Sequence, residues 1–214
     1  MLTLDTTAAR TEAAEPEWAQ VAADLIHARQ TVLPKRLLAP GPRADQLQAL
    51  LGAAAAAPDH GQLLPWRFVT VPRTERGSLA EVFAQALRER DATATPEQLD
   101  QAREKAHRAP LLLLVVVDGQ RGDPAVDLHE RILSAGCAVQ NMLLMATAMG
   151  YGSALTSGKA LGSQALRQRF GLHAGEHALC FMSVGTVAAR RPARTRPTVA
   201  DYCSTLGPAP AKTD

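Results

Sequence analysis

Residues 111–117 read Leu-Leu-Leu-Leu-Val-Val-Val, with Pro110 in front of them. No polar side chain interrupts this run, so a strand formed here has no face to give to water. It has to lie inside a sheet that is covered on both sides. It is also the longest unbroken aliphatic stretch in the chain, far short of the roughly 20 residues a bilayer needs. No membrane span and no membrane partner is expected.

The covers are helical. Val126 to about Met149 is the longest helical stretch, 24 residues, or roughly 36 Å at the helical rise. Its second half, Ala138-Val-Gln-Asn-Met-Leu-Leu-Met-Ala-Thr-Ala-Met, is apolar almost all round. A helix apolar on every face is buried on every face. In a chain of 214 residues, that points to a subunit interface as well as a core.

Around these two elements the pattern predicts further pieces. A helix runs from Trp18 to about Arg29, with Pro16 near its first turn and Val21, Leu25 and Ile26 at helical spacing. Asp45 caps a second helix over 46–57, which Pro58 stops. Trp66 to Val71 alternates as a strand, and 74–107 forms two polar helices broken at Ala94-Thr-Pro96. Tyr151 to Leu155 is a short strand, Ser163 to Phe170 a helix ended by Gly171, and Ala178 to Val187 the final strand. The order gives an α+β fold in one domain over 16–206, with tails at 1–15 and 207–214.

Charge and composition narrow the function. Lys and Arg number 23 against 21 Asp and Glu, and aromatic residues make up only 4%. Neither balance suits a protein built to grip nucleic acid. The N-terminal stretch carries Asp5, Arg10, Glu12 and Glu15 with no apolar run behind them, so no secretory signal is expected. Cys137, Cys180 and Cys203 form no C-x-x-C pair and read as buried thiols in a reducing cytoplasm. His173 and His177 are four apart, but Gly171 and Gly175 spoil a helix there and no third ligand is evident, so no metal is expected. No nucleophile elbow, phosphate loop or dinucleotide fingerprint is present.

Four places carry chemistry. Arg29-Gln30-Thr31 puts a guanidinium and a hydroxyl where they can share a phosphate, or simply ends a helix with positive charge. Ala57-Pro-Asp-His60-Gly-Gln-Leu63-Leu64-Pro65 is a proline-bracketed turn whose histidine can meet a ligand, or only turn the chain. Gly150-Tyr-Gly-Ser-Ala-Leu155-Thr156-Ser157-Gly158 offers hydroxyls among glycines, or is a turn. Arg190-Arg191-Pro-Ala-Arg194-Thr-Arg196 follows the last strand as phosphate anchors or as a basic tail.

Taken in order, Arg29-Gln-Thr, Ala57-Pro-Asp-His, Pro65-Trp-Arg-Phe, Ser134-Ala-Gly-Cys-Ala-Val, Gly150-Tyr-Gly and Gly185-Thr resemble a nitroreductase-family flavoprotein, in its compact NAD(P)H branch. The resemblance covers about residues 18–203. It implies a central mixed or antiparallel sheet flanked by helices, a homodimer formed through long helices, and FMN held at the interface. It implies that Arg29, Gln30 and Thr31 contact the phosphate and ribityl chain, with Arg190 as a late phosphate contact. His60 would reach the flavin of the partner subunit, and Leu155, Thr156 and Ser157 would lie beside the ring. NAD(P)H would be the co-substrate and an electron-poor small molecule the acceptor, with hydride passing through the flavin N5 in a ping-pong exchange. No side chain needs a catalytic role in such chemistry.

The chain departs from the family pattern at Gln30, where a second arginine is usual, and at Leu63 and Leu64, where Asn and Gln are usual before Pro-Trp. Leu155 stands where the narrow branch has Trp and Thr156 where it has Arg, while Ala56 stands where a relative carries Arg. These changes leave open a flavin-binding protein of the same fold with little or no turnover. A nucleic-acid partner bound through the arginines of 190–196 is the remaining alternative.

Overall fold

The computed structural model describes residues 17–189 and 195–207. Helix α1 spans Glu17–Ala28, with Glu17 in its first turn where the helix dipole favours a carboxylate. A short turn leads to β1, Leu37–Leu38. Helix α2 is Ala44–Ala54. Strand β2 is Trp66–Thr70, helix α3 Arg76–Arg90 and helix α4 Pro96–Glu104. Strand β3 is Leu111–Asp118, helix α5 Leu128–Ala148 and strand β4 Gly152–Thr156. Helix α6, Gln164–Arg169, and strand β5, Glu176–Val187, complete the domain.

The sheet order is β1-β5-β3-β2, with β4 also paired to β5, and every strand pair is antiparallel. One parallel bridge, Thr31 to Ser153, ties the segment after α1 to β4. β3 lies inside the sheet between β2 and β5, as its apolar run requires. Leu113 and Val115 face one core, with Leu50 and Ala54 of α2 and Ala138, Met142 and Ala146 of α5. Leu112, Leu114 and Val116 face the other, with Leu79 and Val82 of α3 and Ala165 and Leu166 of α6. Each successive side chain of the strand enters the opposite core.

Several helix ends differ from the sequence expectation. α2 starts two residues earlier, with Arg43 at the cap position. The Gln46 side chain accepts from the Arg43 N–H (3.0 Å), and Asp45 pairs with the Arg43 guanidinium (2.7 Å) instead of capping. α2 also stops at Ala54, because the N–H groups of Ala55 and Ala57 bond three residues back and tighten the chain ahead of Pro58. α5 begins at Leu128, since the Asp127 carboxylate accepts from the N–H groups of His129 and Glu130 (2.7 and 3.2 Å). The break at 94–96 is formed as expected. The Thr95 Oγ1 accepts from Gln98 N (3.3 Å), while the Gln98 side chain accepts from Thr95 N (2.9 Å).

α5 is buried along the stripe from Arg131 to Ala146 that faces the sheet, but not all round. Leu133 is 69% exposed, and Ile132, Gly136 and Gln140 are also exposed. α1 lies against α5, buries none of its own residues and leaves Trp18 79% exposed. A single chain therefore leaves apolar surface uncovered on both helices. Among the cysteines, Cys180 is mostly shielded and burial pushes its thiol up to about 11. Cys203 is exposed rather than buried, because it lies in the C-terminal segment beyond the sheet. No described helix is long and apolar enough to cross a membrane.

Candidate functional site

The bridge between Thr31 and Ser153, reinforced by Val32 N donating to the Ser153 carbonyl (2.9 Å), fixes residues 29–31 beside β4. From the other end of the chain, the Arg196 guanidinium donates to the Arg29 carbonyl (3.1 Å). The Arg196 guanidinium thus reaches the main chain of the Arg29–Thr31 segment, although the two are far apart in sequence. Arg190 lies outside the described residues. Gln30 lines a narrow cleft of about 20 Å³ with Val32, Thr147 and Tyr151. Ser153 Oγ is buried and has no partner among the described residues, so an unspent hydroxyl lies on β4 across from Thr31.

The strand register separates the next three predicted residues. Side chains directly opposite in an antiparallel pair project to the same face. Thr156 pairs with Phe181, which pairs with Leu114, so Thr156 faces the α3 side of the sheet. Leu155 pairs with Met182, which pairs with Leu113, so its side chain is on the α5 side. Thr156 and Ser157 open onto a cavity of about 600 Å³ on the α3 side, and Leu155 does not line it. Leu112, Phe181 and Ser183 form its floor, and Phe83 and Leu87 of α3 stand over them. A pocket of that size suits a cofactor or a small organic ligand.

Five cationic side chains line this cavity: Lys35, Arg90, Lys105, Arg108 and Lys159. No carboxylate does. The nearest is Glu104, which pairs with Arg108 (3.0 Å). The hydrogen bond from Arg108, and then the charges of Arg108, Lys35 and Lys105, hold its carboxyl below the usual range. Sequence reading noted Arg196 only as a member of a basic run, and it did not single out Lys35, Arg90, Lys105, Arg108 or Lys159. No spacing could have found them, because they come from a turn, two helical segments and a loop that converge only in the folded chain.

His60 is not part of this group, and no residue of the 58–65 turn lines the cavity. It sits at the start of α5, where its Nδ1 meets Glu130 Oε2 at 2.7 Å. The Glu130 hydrogen bond, helped by the charges of Glu130, Asp123 and Asp59, raises the imidazole pKa above its ordinary value. The turn is fixed from within, since Asp59 Oδ2 accepts from Leu64 N (2.6 Å) and Gly61 takes a positive φ of 66°. The imidazole is exposed and does not line its own chain's cavity. His173 faces Asp118 (3.4 Å), and its Nδ1 accepts from Gly175 N (3.2 Å), so its hydrogen bonds are structural.

The donor set is therefore guanidinium and hydroxyl at one end of β4, and ammonium, guanidinium and hydroxyl around an apolar floor at the other. That chemistry fits a phosphorylated planar group with carbonyls on one edge. Comparison with known proteins gives the family. The profile of the Nitroreductase family matches residues 8–186. A Haemophilus influenzae protein named "Putative NAD(P)H nitroreductase" is 36% identical over 152 residues, 71% of this chain and 82% of that one. Escherichia coli YdjA, similarly named, is 34% identical over 151 residues, 71% and 81% of the two chains. The crystal structure of a nitroreductase-like family protein from Bacillus cereus superposes with a TM-score of 0.74 at 18% identity, covering 86% of this chain and 95% of that one. Iodotyrosine deiodinase, solved with FMN and 3-iodo-L-tyrosine, has the same fold (TM-score 0.64, 21% identity, 86% and 99% covered). The chain belongs to the nitroreductase family.

Proposed function

We propose that this chain is an FMN-dependent oxidoreductase, working as a homodimer, that passes hydride from NAD(P)H to an electron-poor small molecule such as a nitroaromatic or a quinone in a ping-pong exchange. Bound FMN would supply the redox chemistry, accepting and returning hydride at N5. Everything else falls to the residues described above. Arg29, Thr31 and Arg196 would hold the phosphate and ribityl chain with two guanidinium forks and a hydroxyl, and Arg190 is a further candidate contact for the phosphate. Gln30, which lines the narrow cleft beside them, adds a further contact.

Thr156 and Ser157 present hydroxyls beside the ring, and Leu155 contributes through its main chain. Lys35 and Lys159 supply positive charge toward the carbonyl edge, where negative charge gathers on reduction. Leu112 and Phe181 keep water from that side. His60 acts on the cofactor of the partner subunit, with Glu130 holding the imidazole in place. No side chain is assigned a catalytic role, because no nucleophile and no proton relay is needed.

The observation that supports this reading best is that Arg196 reaches the Arg29–Thr31 segment, which is bridged to the strand whose other end opens, through Thr156 and Ser157, onto a cavity that no described carboxylate lines. The test is anaerobic mixing of the purified protein with NADPH or NADH. The yellow absorbance is expected to bleach within the mixing time and to return when a nitroaromatic or quinone is added, with parallel steady-state lines. Colour that survives NAD(P)H would leave a flavin-binding protein without turnover. Converging lines would replace the exchange at one shared site by a ternary complex.

A further inference from the structure

The cavity carries more positive charge than the proposed cofactor uses. With the phosphate held by Arg29 and Arg196, the ring edge calls for one or two donors, which Lys35 and Lys159 supply. Arg90 at the end of α3 and Lys105 just after α4 remain. Neither has a carboxylate within 4.0 Å among the described residues, and both line the cavity. Arg108 adds a third cation on the same side, partly neutralised by Glu104. Like charges gathered around one cavity repel one another and concentrate anions. The rest of the lining is apolar and aromatic, with Phe83 and Leu87 on the same helix as Arg90 and Phe181 on β5.

A ligand that satisfies both kinds of lining is flat and unsaturated in its body and anionic at one end. We infer that this cavity selects electron acceptors bearing a carboxylate or similar anionic group on an aromatic or conjugated frame, with Arg90 and Lys105 as the specificity-determining residues. The inference rests on the oxidoreductase reading and narrows its acceptor. The same cations would also suit the phosphates of the pyridine nucleotide, so the test separates the two sources of charge.

The test uses the full-length protein as purified with FMN, titrated calorimetrically with benzoate and with benzamide. These probes share a ring and differ in charge, and neither is turned over. Benzoate is expected to bind at least ten-fold more tightly at low salt, with the gap closing as salt is added. Arg90→Gln together with Lys105→Gln is expected to remove that ten-fold preference and to leave benzamide within two-fold, which also shows that the variant is folded. Equal binding of the two probes by the unaltered protein overturns the inference. So does a double variant that keeps its benzoate preference while losing affinity for NADPH relative to NADH, which would assign the cations to the nucleotide. A protein that proves colourless and takes up no FMN sinks the oxidoreductase reading separately, since the calorimetric comparison still reads the charge preference of the cavity.

Discussion

Arg131 is almost fully enclosed, and no carboxylate accompanies it. Its guanidinium donates to the backbone carbonyls of Val126 (2.9 Å), Asp123 (2.6 Å) and Arg121, which pins the 119–127 loop onto the first turn of α5. Replacing it by Met keeps much of the volume but orphans those carbonyls. Arg131→Met is expected to cost about 3 kcal/mol, read as a lower urea midpoint at unchanged m. A loss below about 1 kcal/mol would mean that the loop is held by something else. His60 tests the site at the same scale. Its pKa is raised in the folded chain, chiefly by the Glu130 hydrogen bond. The stability it contributes is thus complete below the ordinary imidazole value and lost as pH rises through the raised one. Glu130→Gln is expected to bring the His60 midpoint, followed by NMR of the ring protons, down toward the ordinary value. An unmoved midpoint would show that Glu130 does not govern the imidazole.

Among the elements, β3 was the most legible in the sequence, because a strand buried on both faces leaves an uninterrupted apolar run. The helix breaks at Thr95-Pro96 and Gly171 were equally plain, since capping and positive φ depend on single residue types. The starts of α2 and α5 were less so. Asp45 and Asp127 are both good caps, and only the folded chain shows that Asp45 is drawn to Arg43 while Asp127 takes the N–H groups. Of the site, Arg29, Thr31, Thr156 and Ser157 could be anticipated as short local groups. The cationic lining could not, because Lys35, Arg90, Lys105 and Lys159 share a surface through tertiary packing alone. The outward face of α5 carries its own test. Leu133 is 69% exposed in the single chain, so a charge there costs an isolated chain little, within roughly 0.5 kcal/mol. Leu133→Asp is expected to halve the particle mass and release FMN in the same step. A variant that stays dimeric and yellow would place the interface elsewhere.

At the scale of the whole molecule, a chain of formal charge +2 gathers five cations on one cavity and leaves apolar side chains of α1 and of the outer face of α5 uncovered. The two features belong together if the cofactor sits where two chains meet. The exposed His60 then finds its partner in the other chain, and Arg29 and Arg196 close the phosphate end within each chain. Light scattering on a sizing column, combined with FMN released by denaturation, tests this most directly. The account expects a particle of two 22.8 kDa chains carrying one FMN per chain. A colourless monomer that takes up no added FMN would contradict it.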